Sequence, residues 1–293
     1  SAGSLVGTTA SLQGAITNNA AVTFNQSTVG TYSGAMSGSG SLSKTGIGRL
    51  SLSGSSSYNG ATTVSAGELN LSGGSIANSA VTVASGASLS GYGSVGTIGG
   101  AGAINPGNSP GILTTPQVNP SGGTTFNFEM TGTAPTYNNA SNSVNDVIRI
   151  TGAPPFSQAL AAGNGVFIYF SGAALFTGST AVQYQGGFFT DQSASFASSI
   201  SGATYNYYFA NTNGPTTYNG VSYYNKAQYE SLVLLTNMTI TVTTVAQTAN
   251  FGGGDINGQV MQVQVIPEPS TYALLALAAA GWGAHWWRRK VTF

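Results

Sequence analysis

The chain has no cysteine, a single histidine (His285), and only 7 basic and 7 acidic side chains in 293 residues. Without cysteine there is no disulfide, thiol nucleophile or Cys-ligated zinc, and one imidazole excludes a multi-histidine metal site. Charged residues make up 5 % of the chain, against about 25 % in an average soluble domain. A nucleic-acid partner requires clustered Lys and Arg to displace counterions from phosphates. Residues 1–287 hold only Lys44, Arg49, Arg149 and Lys226, so no nucleic-acid partner is expected. What fills the space is 42 glycines with dense Ser, Thr and Asn, small neutral residues suited to turns and strand edges. Hydrophobic residues still reach 41 %, too many for a disordered polar tract, so a sizeable core in one or two domains is expected.

The most informative segment is the tail, VQVIPEPSTYALLALAAAGWGAHWWRRKVTF at 263–293. From Ser270 to Trp287 the one titratable cation is His285, read as an interfacial imidazole one turn from Arg288. As a helix these residues span roughly 27 Å, close to the ~30 Å hydrocarbon core of a bilayer. Trp282, Trp286 and Trp287 lie at the end nearest Arg288, Arg289 and Lys290, where indoles favour the lipid–water interface. The positive-inside rule places that cluster in the cytoplasm and everything before Pro267 outside it. The order Pro267-Glu268-Pro269, apolar run, Arg-Arg-Lys resembles the C-terminal sorting signal of PEP-CTERM proteins. That resemblance implies export through the inner membrane of a Gram-negative-type bacterium and recognition by an exosortase, an integral-membrane processing enzyme. It also implies release or transfer to the cell surface or extracellular matrix. The two prolines flanking Glu268 are expected to deny the segment helix and ladder hydrogen bonds and hold it extended for processing. Export also requires a leader, and Ser1–Ser4 lacks a basic, apolar signal sequence; one is expected to have been removed or left out.

Upstream, Leu50-Ser51-Leu52 and Leu69-Asn70-Leu71 alternate with period two and recur at an offset of 19, as Val64 recurs at Val83. Val22 and Phe24 precede Leu42 by a similar distance. A strand every ~20 residues with Gly-Ser turns between is the signature of a β-solenoid. Lys44, Gly46, Gly48, Leu50 and Leu52, followed by Tyr58, Gly60, Thr62, Val64, Gly67 and Leu69, resemble the autotransporter-associated β-strand repeat. Residues 75–114, with an Asn-Pro-Gly-Asn-Ser-Pro-Gly turn at 105–111, look like the coils that follow. The resemblance implies a right-handed parallel β-helix. Autotransporters end in a membrane β-barrel, however, whereas this chain ends in a single apolar run.

From about 119 to 262 aromatic residues become dense, among them Phe126, Phe128, Phe167, Tyr169, Phe188, Tyr205, Tyr207, Tyr208 and Tyr223. Runs such as GVFIYFS and TNMTITVTTV again read as strands, either a capped continuation of the solenoid or a separate sandwich. A distinct aromatic-rich β region continuous with the last coils is the favoured reading. The expected fold class is thus all-β with one transmembrane helix. Its divisions are a solenoid at 1–118, an aromatic-rich β region or cap at 119–262, a linker with the sorting motif at 263–271, a membrane helix at 272–287 and a basic cytoplasmic tail at 288–293.

Catalytic groups are sparse. Glycoside hydrolysis needs two carboxylates about 5–10 Å apart, and Glu68, Glu129, Asp146, Asp191, Glu230 and Asp255 are scattered, although coil stacking can join distant positions. Asp146 and Arg149 read as strand-edge or turn partners. Gly252–Asp255 reads as a turn rather than a calcium loop. The aromatic clusters read as core rather than as exposed rings that, with Asn amides, would bind glycans by stacking and hydrogen bonds. These residues lead to an expected exported, non-catalytic structural protein of the surface or extracellular matrix, associated with biofilm or exopolysaccharide. It would need no cofactor or metal, and would begin as an inner-membrane-anchored precursor with a periplasmic ectodomain. Its expected partners are an exosortase, the inner membrane, and extracellular polysaccharide or other copies of itself. The alternative is an adhesin or glycan-binding module, marked by an exposed aromatic row on the solenoid flank. A polysaccharide-degrading enzyme would instead show two carboxylates in a cleft.

Overall fold

The computed structural model describes residues 3–108, 110–132, 145–171, 182–210, 216–218, 221–228, 238–251 and 254–267. These residues are nearly all β, in parallel sheets, and the helix Ala197–Ile200 is a single turn. Period-two alternation decides which side chains face inward. In the strands Ala21–Asn25, Ser41–Thr45, Thr62–Val64, Val81–Val83, Ile98–Gly100 and Val118–Pro120, the residues Val22, Leu42, Thr62, Val81, Ile98 and Val118 stand in parallel register and are buried. Each coil therefore covers the apolar face of the one before it. No coil could bury that face alone, which is the physical basis of solenoid stacking. Leu50, Leu69, Leu89, Ile104 and Phe126 form a second such column.

The 19-residue offset read from the sequence is the actual register: Leu50 pairs with Leu69, Leu52 with Leu71, and Val64 with Val83. Beyond Phe126 the coils widen. Phe126 pairs with Val166 and Val166 with Tyr205, while Ile148 pairs with Phe188, so partners stand 40, 39 and 40 positions apart. The aromatic-rich stretch thus joins the last coils through parallel pairing, in the same 15-stranded sheet. Its composition follows from that geometry. A wider coil encloses a larger cross-section, which must still be filled to close-packed density. Phe126 and Phe128 both meet Phe188 edge-on at 5.0 Å, and Phe170 stacks on Phe209 at 5.2 Å.

The strand Ser88–Val95 is the fork of this sheet. Its first half pairs with Ala103–Pro106 and its second with Ile112–Thr115, so one strand feeds two diverging faces. One face continues through Thr125–Met130, Gly165–Phe170 and Thr204–Ala210, the other through Val147–Ile150 and Val182–Thr190. Each ends in an antiparallel hairpin: Thr216–Tyr218 with Val221–Asn225 on the first, and Met238–Asn250 with Asp255–Pro267 on the second. Asn250 and Asp255 close the latter turn, where the Asn250 amide donates to the Asp255 carboxylate at 3.0 Å; Gly252 and Gly253 lie outside the described residues.

The last strand corrects one expectation. Pro267 is not held off the sheet but forms its final rung opposite Met238, and residues 263–267, placed in the linker by sequence, lie in this strand. A proline at a strand end keeps its carbonyl and has an extended-compatible φ, so the missing N–H costs little there. Among the described residues no helix is long and apolar enough to cross a membrane. The expected span 272–287 lies outside them, as do Glu268, Pro269, Trp282, Trp286, Trp287, Arg288, Arg289 and Lys290.

Candidate functional site

The repeat residues fall into two working groups. Leu50, Leu52, Val64 and Leu69 are inward-facing core. Lys44 is the surprise: it occupies an inward column between Phe24 and Val64 and is fully buried. Its ammonium donates to the carbonyls of Thr45 at 2.9 Å, Gly46 at 2.8 Å and Ala66 at 3.1 Å, tying one turn to the next coil. Burial pulls its pKa down and nearby Glu68 pushes it back up. Gly67 adopts φ +66°, and a Cβ there would stand 2.6 Å from the carbonyl oxygens of both Gly46 and Gly48. The two halves of the motif therefore describe a single contact: a lysine that satisfies the turn carbonyls and glycines that let the turns stack. Gly48 packs in the same way on Thr28, and Gly60 on Gly40. Tyr58 completes the set, its hydroxyl bonded to Thr62 Oγ1 at 2.6 Å, with Thr62 in turn bonded to Ser79 Oγ at 2.7 Å. Burial pushes the Tyr58 phenol up to about 12.

On the outer face of the larger sheet lies a groove of about 520 Å³, within the usual range for ligand sites. Arg49, Glu68, Asn70, Ser90, Asn108 and Tyr218 line it, and Asn105 adds an amide. The floor is knit laterally. Asn70 donates to Ser90 Oγ at 2.7 Å and to Asn108 Oδ1 at 2.8 Å, and accepts from Ser72 Oγ at 2.8 Å. Ser90 Oγ donates to Glu68, whose carboxylate also lies 3.9 Å from Arg49. Asn70, Ser90 and Asn105 are in cross-strand register, and Asn127 on the next strand donates to Asn105 at 2.6 Å. The aromatic wall comes from Tyr218, which stacks on Tyr169 at 4.1 Å and 9°, with Tyr169 stacked on Tyr208 at 5.0 Å. Burial, and secondarily Tyr208, pushes Tyr169 up to about 12, so the phenol stays neutral.

Two acidic residues 17 positions apart do come together, but inside the body, beside the antiparallel bridge of Met130 and Asn145. Glu129 and Asp146 are 3 % and 0 % exposed. Asp146 accepts the backbone N–H of Gly111 at 2.9 Å and of Glu129 at 2.8 Å. Burial drives its pKa well up, the two amide donors pull it down, and Glu129 raises it again. Asp146 is thus the peg that fastens the 105–111 turn, and with it Asn105 and Asn108, against the sheet. Asp146 and Arg149, three apart on extended backbone, find different partners: Asp146 holds the turn, and Arg149 makes a two-pronged pair with Asp191 at 3.0 and 2.7 Å while covering Phe251 at 4.1 Å. The groove residues Asn70, Ser90, Asn105, Asn108 and Tyr218 escaped the sequence reading, because each gains its meaning from a neighbour one or more coils away. The sequence signals were the 105–111 turn and the abundance of Tyr and Asn, neither of which singles out these positions.

Residues 42–71, which span the lysine–glycine contact, match the passenger-associated-transport-repeat family, and residues 265–290 match the PEP-CTERM protein-sorting motif. The chain therefore carries a sorting motif that begins within its last described strand, on a body whose N-terminal part holds a passenger repeat. The motif supports exosortase-dependent export to the cell surface, with processing at the membrane. A comparison with curated proteins found no match to the chain.

Proposed function

We infer that the protein is an exported, non-catalytic structural component of the cell surface or extracellular matrix. In this reading the parallel stack winds right-handed, and 272–287 forms a helix that holds the precursor in the inner membrane with its body outside the cytoplasm. The carrying observation is the sorting motif starting within the last described strand of a charge-poor β-stack. Several features support a structural rather than catalytic role. Glu129 and Asp146 are buried, Asp146 accepting two backbone N–H groups and Glu129 accepting from the Tyr223 hydroxyl at 3.4 Å, and Glu68 is held by Ser90 and Arg49. A surface with so few like charges offers little repulsion to packing against neutral polymers or further copies. Mass spectrometry of the C-terminus from native cells tests the reading. The expected product ends near Pro267–Pro269 and lacks 272–293. An intact C-terminus in surface fractions overturns it.

A further inference from the structure

We propose that the groove beneath Tyr218 binds a neutral polysaccharide, with the sugar chain running across the strands. The donors and acceptors that line it are amides and hydroxyls, and its one ion pair, Arg49–Glu68, is internally balanced. A polyanion would find a single cation already engaged by a carboxylate, and an apolar ligand would leave the amides unpaired at a cost. A polyhydroxylated, uncharged chain satisfies both conditions.

The spacing favours a polymer. Asn70, Ser90, Asn105 and Asn127 stand on successive parallel strands. Strands lie about 4.8 Å apart, a repeat comparable to the length of one pyranose ring, so a glycan running across them keeps step with the strands. Asn70 is saturated as the floor, both its amide protons and its carbonyl being engaged. Asn108, exposed on the turn, accepts from Asn70 through Oδ1, which leaves its amide N–H2 to donate. Tyr218, backed by the Tyr169–Tyr208 stack, supplies a rigid neutral ring against which the C–H face of a sugar can lie. Asp146 acts as a positioning residue by pinning the turn that carries Asn105 and Asn108.

The inference rests on the exported-body reading for its biological setting, but its test does not. The detergent-solubilised full chain is run by affinity electrophoresis in gels containing dextran, a mixed-linkage β-glucan or polygalacturonate. The expected result is retardation by a neutral polymer that is unchanged when salt is raised from about 0.05 to 0.5 M. N108A and Y218A, each with a wild-type melting temperature, should weaken it at least tenfold. Retardation by polygalacturonate alone, retardation untouched by both substitutions, or no retardation in either neutral polymer overturns the proposal. C-terminal processing of the same two variants in cells stays normal if only the groove proposal fails, and is lost even in the wild type if the export reading fails.

Discussion

Two buried ionisable residues show how a nearly uncharged chain uses the charges it has. Lys44 and Asp146 are both shut away from water, and each is bonded to backbone rather than to an opposite charge. Both bind turns to their neighbouring coils, where carbonyls and N–H groups left over from the ladders need partners. The carboxylate gives a pH signature. Its folded-state pKa is raised mainly by burial, so between the unfolded carboxylate value and the raised value the folded chain holds a proton that the unfolded chain has released. The contribution of Asp146 to stability therefore falls as pH rises through that window. In D146N this component of the pH slope should vanish. The variant should also lose about 1–3 kcal/mol, because an amide N–H2 then faces one of the two backbone N–H donors. Urea unfolding across pH measures both; parallel curves for the two proteins would show that Asp146 does not titrate there.

At the level of the element, the repeat is a device for bringing turns into backbone contact. Gly67 and Gly86 both have positive φ, +66° and +81°, so alanine strains either backbone. They differ in surroundings: a Cβ at Gly67 meets the Gly46 and Gly48 carbonyls, whereas nothing lies within 4 Å of one at Gly86. G86A should thus cost about 1 kcal/mol, the backbone strain alone. G67A should cost upward of about 2–3 kcal/mol, because two coils must part. Equal losses of melting temperature would show that coil contact at Gly67 contributes nothing. The same logic explains the later coils. Their circuits take about twice as many residues, and rings such as Phe126, Phe128 and Phe188 replace Leu and Val across the wider interior.

Across the whole molecule, the parallel stacks end in antiparallel hairpins, and the last strand leads directly into the sorting motif. Among the described residues a main core runs from Leu12 to Val265 and so reaches the last strand. Truncation after Pro267 should then leave the melting temperature within about 2 °C of the full chain while abolishing membrane association. A large fall in melting temperature would mean that the tail packs on the body.

Much of this protein could be read from one dimension. Period-two alternation and a 19-residue offset specify parallel stacking, because register is a matter of spacing along the chain and each coil repeats its neighbour's pattern. The ordered proline–glutamate–proline, apolar run and basic cluster likewise mark the sorting segment, since that signal is itself linear. What only the tertiary structure decided are the contacts that close between coils. They include Lys44 on Ala66, Asp146 on Gly111, Arg149 with Asp191, and a groove assembled from Arg49 to Tyr218. Such partners lie roughly 20 to 170 positions apart and no local pattern relates them; winding sets which residues meet, and the coil length that fixes it changes midway along the chain.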